Sequence, residues 1–380
     1  MKIAFDAKRA THNGTGLGNY SRFVLNTLSA HNPENEYLLY TPSKGKANLR
    51  SKVNEGLNMH YHYPKGLWNN FGVKSIWRSF GVVASVNNEN TDIYHGLSNE
   101  IPFGIGKSGV KSVVTIHDLI FLRYPEYYKP IDRAIYKFKF KRACQKADRI
   151  IAVSEMTKRD IINFFGIPSN KIDVVYQGCD NSFKSAVPES FKPTIRKIYG
   201  LPEEFILSVG TIEARKNLLL AVKALKASGK KYHLVAIGKP TPYMAKVKEF
   251  IQENNMEDQV TFLHNVPFAH LPAIYQMASL FVYPSFFEGF GIPVIEALYS
   301  KVPVIAATGS CLEEAGGDYS VYVDPVNHLE MAEAINDIWN NPARREEMIK
   351  HGLEHVKKFE EENIAIELQE VYSRVVEKKS

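Results

Sequence analysis

Short runs of apolar residues alternate with longer stretches of helical spacing along the first half of the chain. The apolar runs cover residues 2–5, 37–40, 93–94, 113–116 and 150–153. This alternation predicts strands that are joined by helices in a parallel sheet. It restarts after a gap, with apolar runs at 205–209, 232–237, 260–263, 280–283 and 302–305. The pattern therefore predicts an α/β fold with two successive parallel sheets.

The length of the chain also favours two domains. A single hydrophobic core stops growing near ~250–300 residues, and this chain has 380. Residues 180–202 are rich in Ser, Pro and Lys without sustained periodicity, which is typical of a linker. Residues 343–379 have helical spacing. We therefore predict an N-terminal domain over 1–183, a C-terminal domain over 184–360 and a helical tail over 361–380.

The composition excludes several classes of protein. Hydrophobic residues at 44% and charged residues at 23% fit a globular protein rather than a disordered, collagen-like or coiled-coil chain. The three cysteines are far apart in sequence, which argues for a reducing compartment and against a structural zinc site. The N-terminus lacks the pattern of a signal peptide, and no apolar stretch approaches the ~18 residues of a membrane-spanning helix. We expect a cytoplasmic protein.

The charge is distributed unevenly between the two halves. Residues 1–183 contain 25 basic and 15 acidic side chains, whereas residues 184–380 contain 22 and 26. The halves thus carry net charges of +10 and −4. A basic half suits an anionic partner such as a phospholipid head group or a phosphorylated substrate. Nucleic acid would also fit the charge, but the sequence has no RRM, KH or helix-turn-helix pattern, and we expect no nucleic acid partner.

A glycine-rich turn follows the first predicted strand and opens a predicted helix over 20–28. Its glycines are Gly14, Gly16 and Gly18. Glycines let backbone amides approach a phosphate or a sugar at the positive N-terminus of a helix. The spacing differs from the G-x-G-x-x-G of dinucleotide-binding folds. A tight strand-to-helix turn would require the same residues, so the motif by itself leaves both interpretations open.

His117 and Asp118 directly follow the predicted strand 113–116. In open α/β sheets, ligands bind outside the carboxyl ends of the strands, which makes this pair a candidate site. The alternative is a core histidine that bonds a backbone carbonyl, and for a single histidine that alternative is the more common one. The adjacent Asp118 shifts the balance only modestly toward function.

Two consecutive cations, Arg215 and Lys216, lie between a predicted strand and a predicted helix over 218–225. Cations at the start of a helix oppose its macrodipole, so this placement costs stability unless an anion lies between them. A bound diphosphate would remove the conflict. The alternative is a solvated turn in which Glu213 neutralises one of the cations.

The most informative segment is 283–298, in which Glu288 and Glu296 flank a pair of glycines. Pro293 suits the first turn of a helix. The residues before it would then present backbone amides to an anion; they are Gly289, Phe290, Gly291 and Ile292. Carboxylates beside a phosphate are unfavourable unless each holds hydroxyl groups, so the segment favours a ligand with phosphates and sugar hydroxyls. The alternative, an N-terminal acid plus a solvated mid-helix glutamate, leaves Phe290 unexplained.

These four segments, in this order, resemble the retaining GT-B glycosyltransferases of family 4, and more narrowly their mannosyltransferase-like members. Glu288 and Glu296 match the E-x7-E signature of that family. The resemblance covers nearly the whole chain. It implies two Rossmann-like domains that face each other across a cleft, with a C-terminal helix that crosses back to the N-terminal domain.

The resemblance also implies a role for the charged residues. Arg215 and Lys216 would hold the diphosphate of a nucleotide-sugar donor. Glu288 would contact the hydroxyls of the donor sugar, and Glu296 would contact those of the ribose.

Further donor contacts follow from the same resemblance. His117, with Asp118, would contact the sugar near its anomeric centre. The other implied donor-binding positions are Gly16, Gly18, Gly289, Phe290, Gly291, Ile292 and, near the base, Val266 and Leu271. The sequence departs from the family at Thr211, where many relatives have arginine, and at Leu312, where proline is frequent.

The implied activity is the transfer of a hexose, mannose for this subgroup, from GDP-mannose to a saccharide or a lipid-linked saccharide in the assembly of a cell-surface polysaccharide or glycan. No cofactor or metal is implied, because cations and helix amides stabilise the leaving diphosphate and the chain contains no D-x-D. The alternatives are a nucleotide-sugar epimerase of the same fold, a non-catalytic module that binds nucleotide sugars, and an NAD-dependent oxidoreductase, although the sequence lacks the G-x-G-x-x-G motif of the last.

Residues 129–149 contain eight basic side chains and two acidic ones, with Ile131, Ile135 and Phe138 at helical spacing. A basic amphipathic helix of this kind can bind a membrane surface or an acidic partner. The more common alternative is a helix whose apolar residues face the core and whose cations are solvated. A lipid-linked acceptor favours peripheral contact of 129–149 with the inner face of a membrane.

Overall fold

The computed structural model describes residues 1–54, 56, 58–69 and 73–377. The chain divides into two compact units. Unit 1 comprises Met1–Gly178 together with Phe359–Ser380, and unit 2 comprises Cys179–Lys358. The last three residues of the predicted tail, 378–380, lie outside the described residues. Within the described ranges, no helix has the length and apolar character needed to span a membrane.

Unit 1 contains, in its described part, a parallel sheet of seven strands. The strands are β1 (Lys2–Asp6), β2 (Glu36–Tyr40), β3 (Met59–His62), β4 (Ile93–Gly96), β5 (Lys111–Ile116), β6 (Arg149–Ala152) and β7 (Ile172–Val174). Their order in the sheet is β3-β2-β1-β4-β5-β6-β7. The order reverses between β1 and β4, where Ile3 lies opposite Ile93. Ligands of open α/β sheets bind at such a switch point.

The strands of unit 1 are apolar over most of their length because helices cover both faces of a parallel sheet. Ala4 of β1 lies opposite Leu38 of β2 and Tyr94 of β4. All three side chains belong to one buried cluster. The register of the central strands is therefore fixed by the packing of their apolar residues.

Within the described residues, the first eight helices of the chain belong to unit 1. They are α1 (Lys8–His12), α2 (Gly16–His31), α3 (Ala47–Arg50), α4 (Lys74–Phe80), α5 (Val82–Asn88), α6 (Ile120–Arg123), α7 (Pro130–Lys146) and α8 (Glu155–Phe165). Local signals fix the ends of α8. The Ser154 side chain accepts a hydrogen bond from the amide of Thr157, and Gly166 ends the helix with a φ of 67°.

Unit 2 repeats the architecture with six parallel strands in the order β10-β9-β8-β11-β12-β13. The strands are β8 (Ile206–Val209), β9 (Leu234–Ile237), β10 (Val260–Leu263), β11 (Leu280–Tyr283), β12 (Val304–Ala307) and β13 (Val321–Val323). The order reverses between β8 and β11, where Leu280 lies opposite Ile206. The two predicted parallel sheets are thus confirmed, although the apolar runs did not predict β3, β7 and β13.

Eight helices belong to unit 2. They are α9 (Lys192–Tyr199), α10 (Leu218–Ala227), α11 (Tyr243–Glu253), α12 (Leu271–Met277), α13 (Ile292–Tyr299), α14 (Leu312–Gly316), α15 (His328–Asn340) and α16 (Pro342–Val356). Asparagine side chains cap two of them: Asn327 accepts from the amide of Glu330, and Asn341 accepts from that of Arg344.

The boundary between the units differs from the predicted position at residue 183. It lies after Gly178, because Phe183 is buried in unit 2 and packs edge to face against Phe268 and Tyr275. The predicted linker 180–202 is also partly regular. It contains a 3₁₀ turn, Asn181–Phe183, and the helix α9. The polar composition of α9 hid it, since within this helix only Ile195 is buried.

The described part of the C-terminal stretch, 343–377, forms two helices, and the second begins where the helical tail was predicted to begin. A 3₁₀ turn, Lys357–Phe359, follows α16, and the last helix is α17 (Glu361–Glu377). Phe359 is fully buried, which explains the break. α17 belongs to unit 1, where Gln369 accepts a hydrogen bond of 3.0 Å from Asn35.

Candidate active site

Two of the sequence motifs meet at the carboxyl edge of the unit 2 sheet. β8 leads to the 3₁₀ turn Ala214–Lys216 and α10, and the neighbouring β11 leads to the loop before α13. Two hydrogen bonds join these loops. The amide of Phe286 donates to the Arg215 carbonyl over 2.9 Å, and Arg215 Nη1 donates to the Phe287 carbonyl over 2.6 Å.

The anion that the sequence requires between the two cations is a side chain of the protein itself. Lys216 Nζ lies 2.6 Å from Glu288 Oε1, and Arg215 Nη1 lies 2.9 Å from the same oxygen. Arg215 also contacts Glu213 through Nη2 over 2.8 Å. Lys216 donates a further hydrogen bond of 2.5 Å to Tyr283 Oη. The predicted alternative of a solvated turn is therefore only partly right, because Glu213 does neutralise Arg215 but the cluster is mostly shielded from water.

The charges of this cluster determine its protonation. Burial raises the pKa of Glu288, but Lys216 and Arg215 outweigh burial and hold that pKa at about 2. Burial lowers the pKa of Lys216, and Glu288 opposes this effect. For Arg215, burial lowers the pKa while Glu288 and Glu213 raise it, with a net upward shift. Glu288 is thus ionised at neutral pH and paired with two cations.

The loop before α13 is held by a residue that the sequence analysis did not assign to the site. Cys311 is fully buried, and its Sγ lies 3.0 Å from the carbonyl oxygens of both Glu288 and Phe290. Gly291, the N-cap of α13, has a φ of 121°, and a Cβ atom there would lie 2.8 Å from Leu312 Cδ2. Only glycine fits this position. Cys311 and Leu312 therefore shape the backbone of the site from the next strand connection.

Glu296 lies within α13, just over one turn beyond the loop, in a different environment from Glu288. Tyr275 of α12 donates a hydrogen bond of 2.9 Å to Glu296 Oε2. Burial raises the pKa of Glu296 to about 7, against the effect of that hydrogen bond. The two glutamates of the E-x7-E motif thus differ in charge at neutral pH, one fully ionised and one near its midpoint.

The positions that the resemblance places near the base lie in the segment after β10. Val266 is half-buried in the loop, and Leu271 is the first residue of α12. α12 is the helix that carries Tyr275, so Leu271 belongs to the element that contacts Glu296. Ile292 opens α13, and Gly289 and Phe290 precede it.

In unit 1, His117 directly follows β5 and is almost entirely buried. Its Nε2 lies 2.9 Å from the carbonyl oxygen of Leu97. A carbonyl only accepts hydrogen bonds, so Nε2 carries the proton and Nδ1 is left as an acceptor. Burial lowers the pKa of His117 to about 4. His117 is therefore neutral at physiological pH. Its Nε2 bonds a backbone carbonyl, as the alternative of a core histidine predicts.

The backbone of His117 is fixed on both sides. Its amide donates a hydrogen bond of 2.8 Å to Asn99 Oδ1, and its carbonyl accepts one of 3.3 Å from Thr157 Oγ1. Asn99 and Thr157 are both buried. The adjacent Asp118 accepts a hydrogen bond of 3.2 Å from the amide of Ile120. The pair His117–Asp118 is thus part of a rigid strand end.

The glycine-rich turn begins α2 earlier than predicted. The helix starts at Gly16 rather than at Tyr20, with Thr15 as its N-cap. A Cβ atom on Gly18 would lie 1.8 Å from the carbonyl oxygen of Asn13, so packing requires this glycine. A Cβ atom on Gly16 would meet nothing within 4 Å. Packing therefore explains why residue 18 is a glycine, but it does not explain why residue 16 is one.

The predicted basic helix forms α7, and the three apolar residues that the sequence singled out on it do not face the core. Ile131, Ile135 and Phe138 lie on one face and are 75%, 46% and 61% exposed. The buried face of α7 is supplied instead by Phe140, Ala143 and Cys144. The common alternative of core-facing apolar residues is therefore wrong for these three. Over the described part of the chain, no group of three His, Cys, Asp or Glu side chains is placed to hold a metal ion.

Two family models match the chain, one in each unit. The model described as Glycosyltransferase Family 4 matches residues 16–183. The model described as Glycosyl transferases group 1 matches residues 191–355.

Characterised relatives are similar over much of the chain. O-antigen chain mannosyltransferase B of Escherichia coli is 30% identical over 285 residues, which are 74% of this chain and 74% of that protein. O-antigen chain mannosyltransferase RfbU of Salmonella typhimurium is 29% identical over 60% of this chain and 61% of that protein. The serotype-specific mannosyltransferase WbdA of Escherichia coli is 28% identical over 75% of this chain, which corresponds to only 36% of that longer protein.

Solved structures share the fold. Anabaena HepE in complex with UDP and glucose has a TM-score of 0.76 at 17% identity, over 98% of this chain and 100% of that one. Sucrose-phosphate synthase from Thermosynechococcus elongatus has a TM-score of 0.76 at 20% identity, over 100% of both chains. With a family model on each unit and a 30% identical relative matched over 74% of both proteins, the chain belongs to the GT-B glycosyltransferases of group 1 and family 4, and it is an enzyme that transfers a glycosyl group.

Proposed function

We propose that this glycosyltransferase moves a mannosyl group from GDP-mannose to a saccharide or a lipid-linked saccharide, with retention of the anomeric configuration, in the assembly of a cell-surface polysaccharide. The names of three relatives support mannose, and two of those names specify O-antigen chains. The observation that carries the proposal is the pairing of Arg215 and Lys216 with Glu288 at the edge of the unit 2 sheet.

The cluster suits a diphosphate by charge. The Arg215 and Lys216 side chains are only 17% exposed. Cations shielded from water to this extent are costly unless anions compensate them, and in the structure Glu288 and Glu213 do so. A diphosphate offers the same charge and more acceptor oxygens. When the donor binds, its diphosphate replaces the Glu288 carboxylate at Arg215 and Lys216. Glu288 is then free to accept hydrogen bonds from the hydroxyls of the donor sugar.

The same cations stabilise the reaction. As the bond between the anomeric carbon and the phosphate oxygen breaks, negative charge builds up on the leaving diphosphate. In this proposal Arg215, Lys216 and the N-terminus of α13 stabilise this charge, and the step needs no metal ion. The acceptor hydroxyl forms the new bond to the anomeric carbon on the same face, and its proton passes to the leaving phosphate oxygen.

His117 acts as a hydrogen-bond acceptor rather than as an acid. Its Nε2 proton is held by the Leu97 carbonyl, and its pKa of about 4 keeps the ring neutral. Nδ1 is therefore available to accept a hydrogen bond from a sugar hydroxyl near the reacting carbon. Glu296, whose pKa is about 7, accepts hydrogen bonds from the ribose hydroxyls. These hydrogen bonds are stronger when the carboxylate is ionised.

The acceptor side of the proposal rests on α7. Ile131, Ile135 and Phe138 are exposed on one face, and Lys137 is exposed beside them. A helix with cations around exposed apolar residues binds anionic lipid surfaces, each cation contributing about 1 kcal/mol near the membrane. We place the enzyme at the cytoplasmic face of a membrane, in peripheral contact through α7, where a lipid-linked acceptor is accessible.

A ligand screen followed by product analysis tests this function. Thermal shifts are measured with GDP-mannose, UDP-glucose, UDP-N-acetylglucosamine and their nucleoside diphosphates, since a ligand of the native state raises its melting temperature. We expect the largest shifts with GDP-mannose and GDP, and mannosyl transfer in the presence of excess chelator. A preference for UDP-sugars would contradict the donor. Loss of transfer in chelator would contradict metal independence. Conversion of the donor to its epimer without an acceptor would contradict transfer itself.

A further inference from the structure

A continuous chain of buried contacts runs through unit 1 from the C-terminal helix to His117. Tyr372 Oη of α17 lies 2.8 Å from His95 Nδ1 of β4. His95 Nε2 lies 2.8 Å from Thr115 Oγ1 of β5. Thr115 Oγ1 lies 3.0 Å from Tyr20 Oη of α2, and the Tyr20 and His117 rings meet at right angles with centroids 4.6 Å apart.

All members of this chain are shielded from solvent. Tyr372, His95 and Thr115 are fully buried, and Tyr20 is 3% exposed. Water cannot replace a lost partner at such positions, so each hydrogen bond restrains the orientation of the next group. Burial lowers the pKa of His95 to about 3. The His95 ring is therefore neutral, with one nitrogen as donor and the other as acceptor, and it needs partners on both sides.

The chain ends at two motifs of unit 1 that the sequence singled out, His117 and the glycine-rich turn. Thr115 and His117 are two positions apart at the end of β5, so their side chains lie on the same side of the strand. Tyr20 lies in the second turn of α2, the helix that begins at Gly16. A shift of the Tyr20 ring therefore moves the His117 ring and the start of α2 together.

We propose that Tyr372 is a positioning residue for glycosyl transfer, which acts through His95, Thr115 and Tyr20 to hold the ring of His117 and the start of α2 in place. The proposal rests on the proposed function, because it takes His117 to contact the donor sugar. In this proposal α17, the C-terminal helix that belongs to unit 1, has a second role besides completing the apolar core. Tyr372 touches no substrate and acts only through the other members of the chain.

The kinetic test compares Tyr372→Phe with a matched control in the same unit. Tyr372→Phe keeps the ring but removes the hydroxyl. Tyr37→Phe removes an equally buried hydroxyl, which bonds the carbonyls of Leu28 and Asn32 at the far end of α2. We expect Tyr372→Phe to lower kcat on the order of tenfold, as a small misplacement of a reacting contact does. The affinity for GDP should stay within about twofold, since the diphosphate residues lie in unit 2.

Two further variants keep the test informative if Tyr372→Phe does not fold, and they test whether Tyr372 and Tyr20 act through the same chain of contacts. Thr115→Val interrupts the same chain in its middle with a side chain of similar shape, and it should reproduce the kcat loss if Tyr372→Phe fails to fold. The double variant Tyr20→Phe with Tyr372→Phe should lose little more than either single variant, because both interrupt one chain. If the loss of kcat in the double variant equals the product of the two single losses, the two tyrosines do not act through one chain of contacts.

A spectroscopic readout separates this proposal from the proposed function. In protein labelled with ¹⁵N-histidine, the imidazole signals of His117, assigned through His117→Gln, should shift in Tyr372→Phe and not in Tyr37→Phe. Unchanged His117 signals would overturn the proposal, and so would shifted signals with an unchanged kcat. If the wild-type protein transfers no sugar from any donor in the panel while the His117 signals shift, the proposed function fails and the positioning chain is retained.

Discussion

Lys216 Nζ donates a hydrogen bond of 2.6 Å to Glu288 Oε1, and this contact joins the two sheet-end motifs of unit 2. Arg215 Nη1 approaches the same oxygen at 2.9 Å. Two cations thus converge on one carboxylate oxygen at the edge where open α/β sheets bind ligands. A phosphate oxygen accepts the same hydrogen bonds, and we propose that the donor diphosphate exchanges with Glu288 at this contact.

Lys216→Ala should weaken the binding of GDP while the protein remains folded. The substitution removes a hydrogen bond to a charged group, which is worth about 1.5–3 kcal/mol, or roughly 10- to 150-fold in affinity. Calorimetric titration measures this change. Lys226→Ala, at the exposed end of α10, the helix that follows Lys216, is the control and should leave the affinity unchanged. Equal affinities for GDP in the Lys216 variant and the wild type would mean that Lys216 does not contact the diphosphate and has only a structural role.

Glu296 should make donor binding depend on pH near neutrality. Its pKa of about 7 means that the carboxyl group ionises as the pH rises through this value, and the ionised form accepts ribose hydroxyls more strongly. The affinity for GDP-mannose, whose phosphates do not titrate in this range, should therefore rise between about pH 6 and pH 8. Glu296→Gln should remove this rise. Parallel pH profiles in the variant and the wild type would contradict the ribose assignment.

The same raised pKa has the opposite effect on folding. A carboxyl group whose pKa is higher in the folded state adds stability below its unfolded value of 4.5, and this contribution is lost as the pH rises through about 7. Glu288 has a lowered pKa of about 2, so its contribution is present above 4.5 and is lost as the pH falls toward 2.

Gly16→Ala and Gly18→Ala form a pair that separates packing from ligand approach. A Cβ atom on Gly18 would collide with the Asn13 carbonyl, so Gly18→Ala should lower the free energy of unfolding by about 1–3 kcal/mol or more. A Cβ atom on Gly16 meets open space, so Gly16→Ala should keep its stability and lose transfer activity. Thermal unfolding and a transfer assay measure the two effects. Full activity in a stable Gly16→Ala would leave the turn without a role in binding.

The exposed face of α7 should bind anionic vesicles. Flotation with anionic liposomes should recover the wild-type protein, less so as salt rises, and recovery should drop in a double variant with Ile131→Ser and Phe138→Ser. Lys139 is a poor site for substitution because it lies 3.3 Å from Glu100. The control pair Ile198→Ser and Leu329→Ser removes apolar residues of unit 2 that are each 57% exposed. Equal recovery with neutral and anionic vesicles would favour a soluble acceptor.

The sequence predicted the central strands and the position of each motif, because apolar runs and strand ends are local features. It did not predict β3, β7 and β13, which are edge strands of only three or four residues. β3 and β7 also contain polar residues, in the sequences MHYH and IDV. Edge strands are covered on fewer sides and need fewer apolar residues.

The sequence also did not predict contacts between segments that are far apart along the chain. The bonds from Cys311 to the Glu288 and Phe290 carbonyls span 23 and 21 residues, and the bond from Thr157 to the His117 carbonyl spans 40. Nothing in the sequence around Cys311 indicates these contacts. The macrodipole argument correctly required an anion beside Arg215 and Lys216, but charge alone could not show that Glu288 supplies it in the structure.

Titration of GDP into wild-type protein and Glu288→Gln tests the exchange at the cations most directly. Glutamine keeps the shape of the side chain and removes the charge that competes with the diphosphate. We predict that GDP binds the variant more tightly, by roughly 1.5 kcal/mol or about tenfold, and that transfer from GDP-mannose falls because the sugar loses its contact. Weaker or unchanged GDP binding in a folded Glu288→Gln would contradict the exchange of the Glu288 carboxylate for the donor diphosphate.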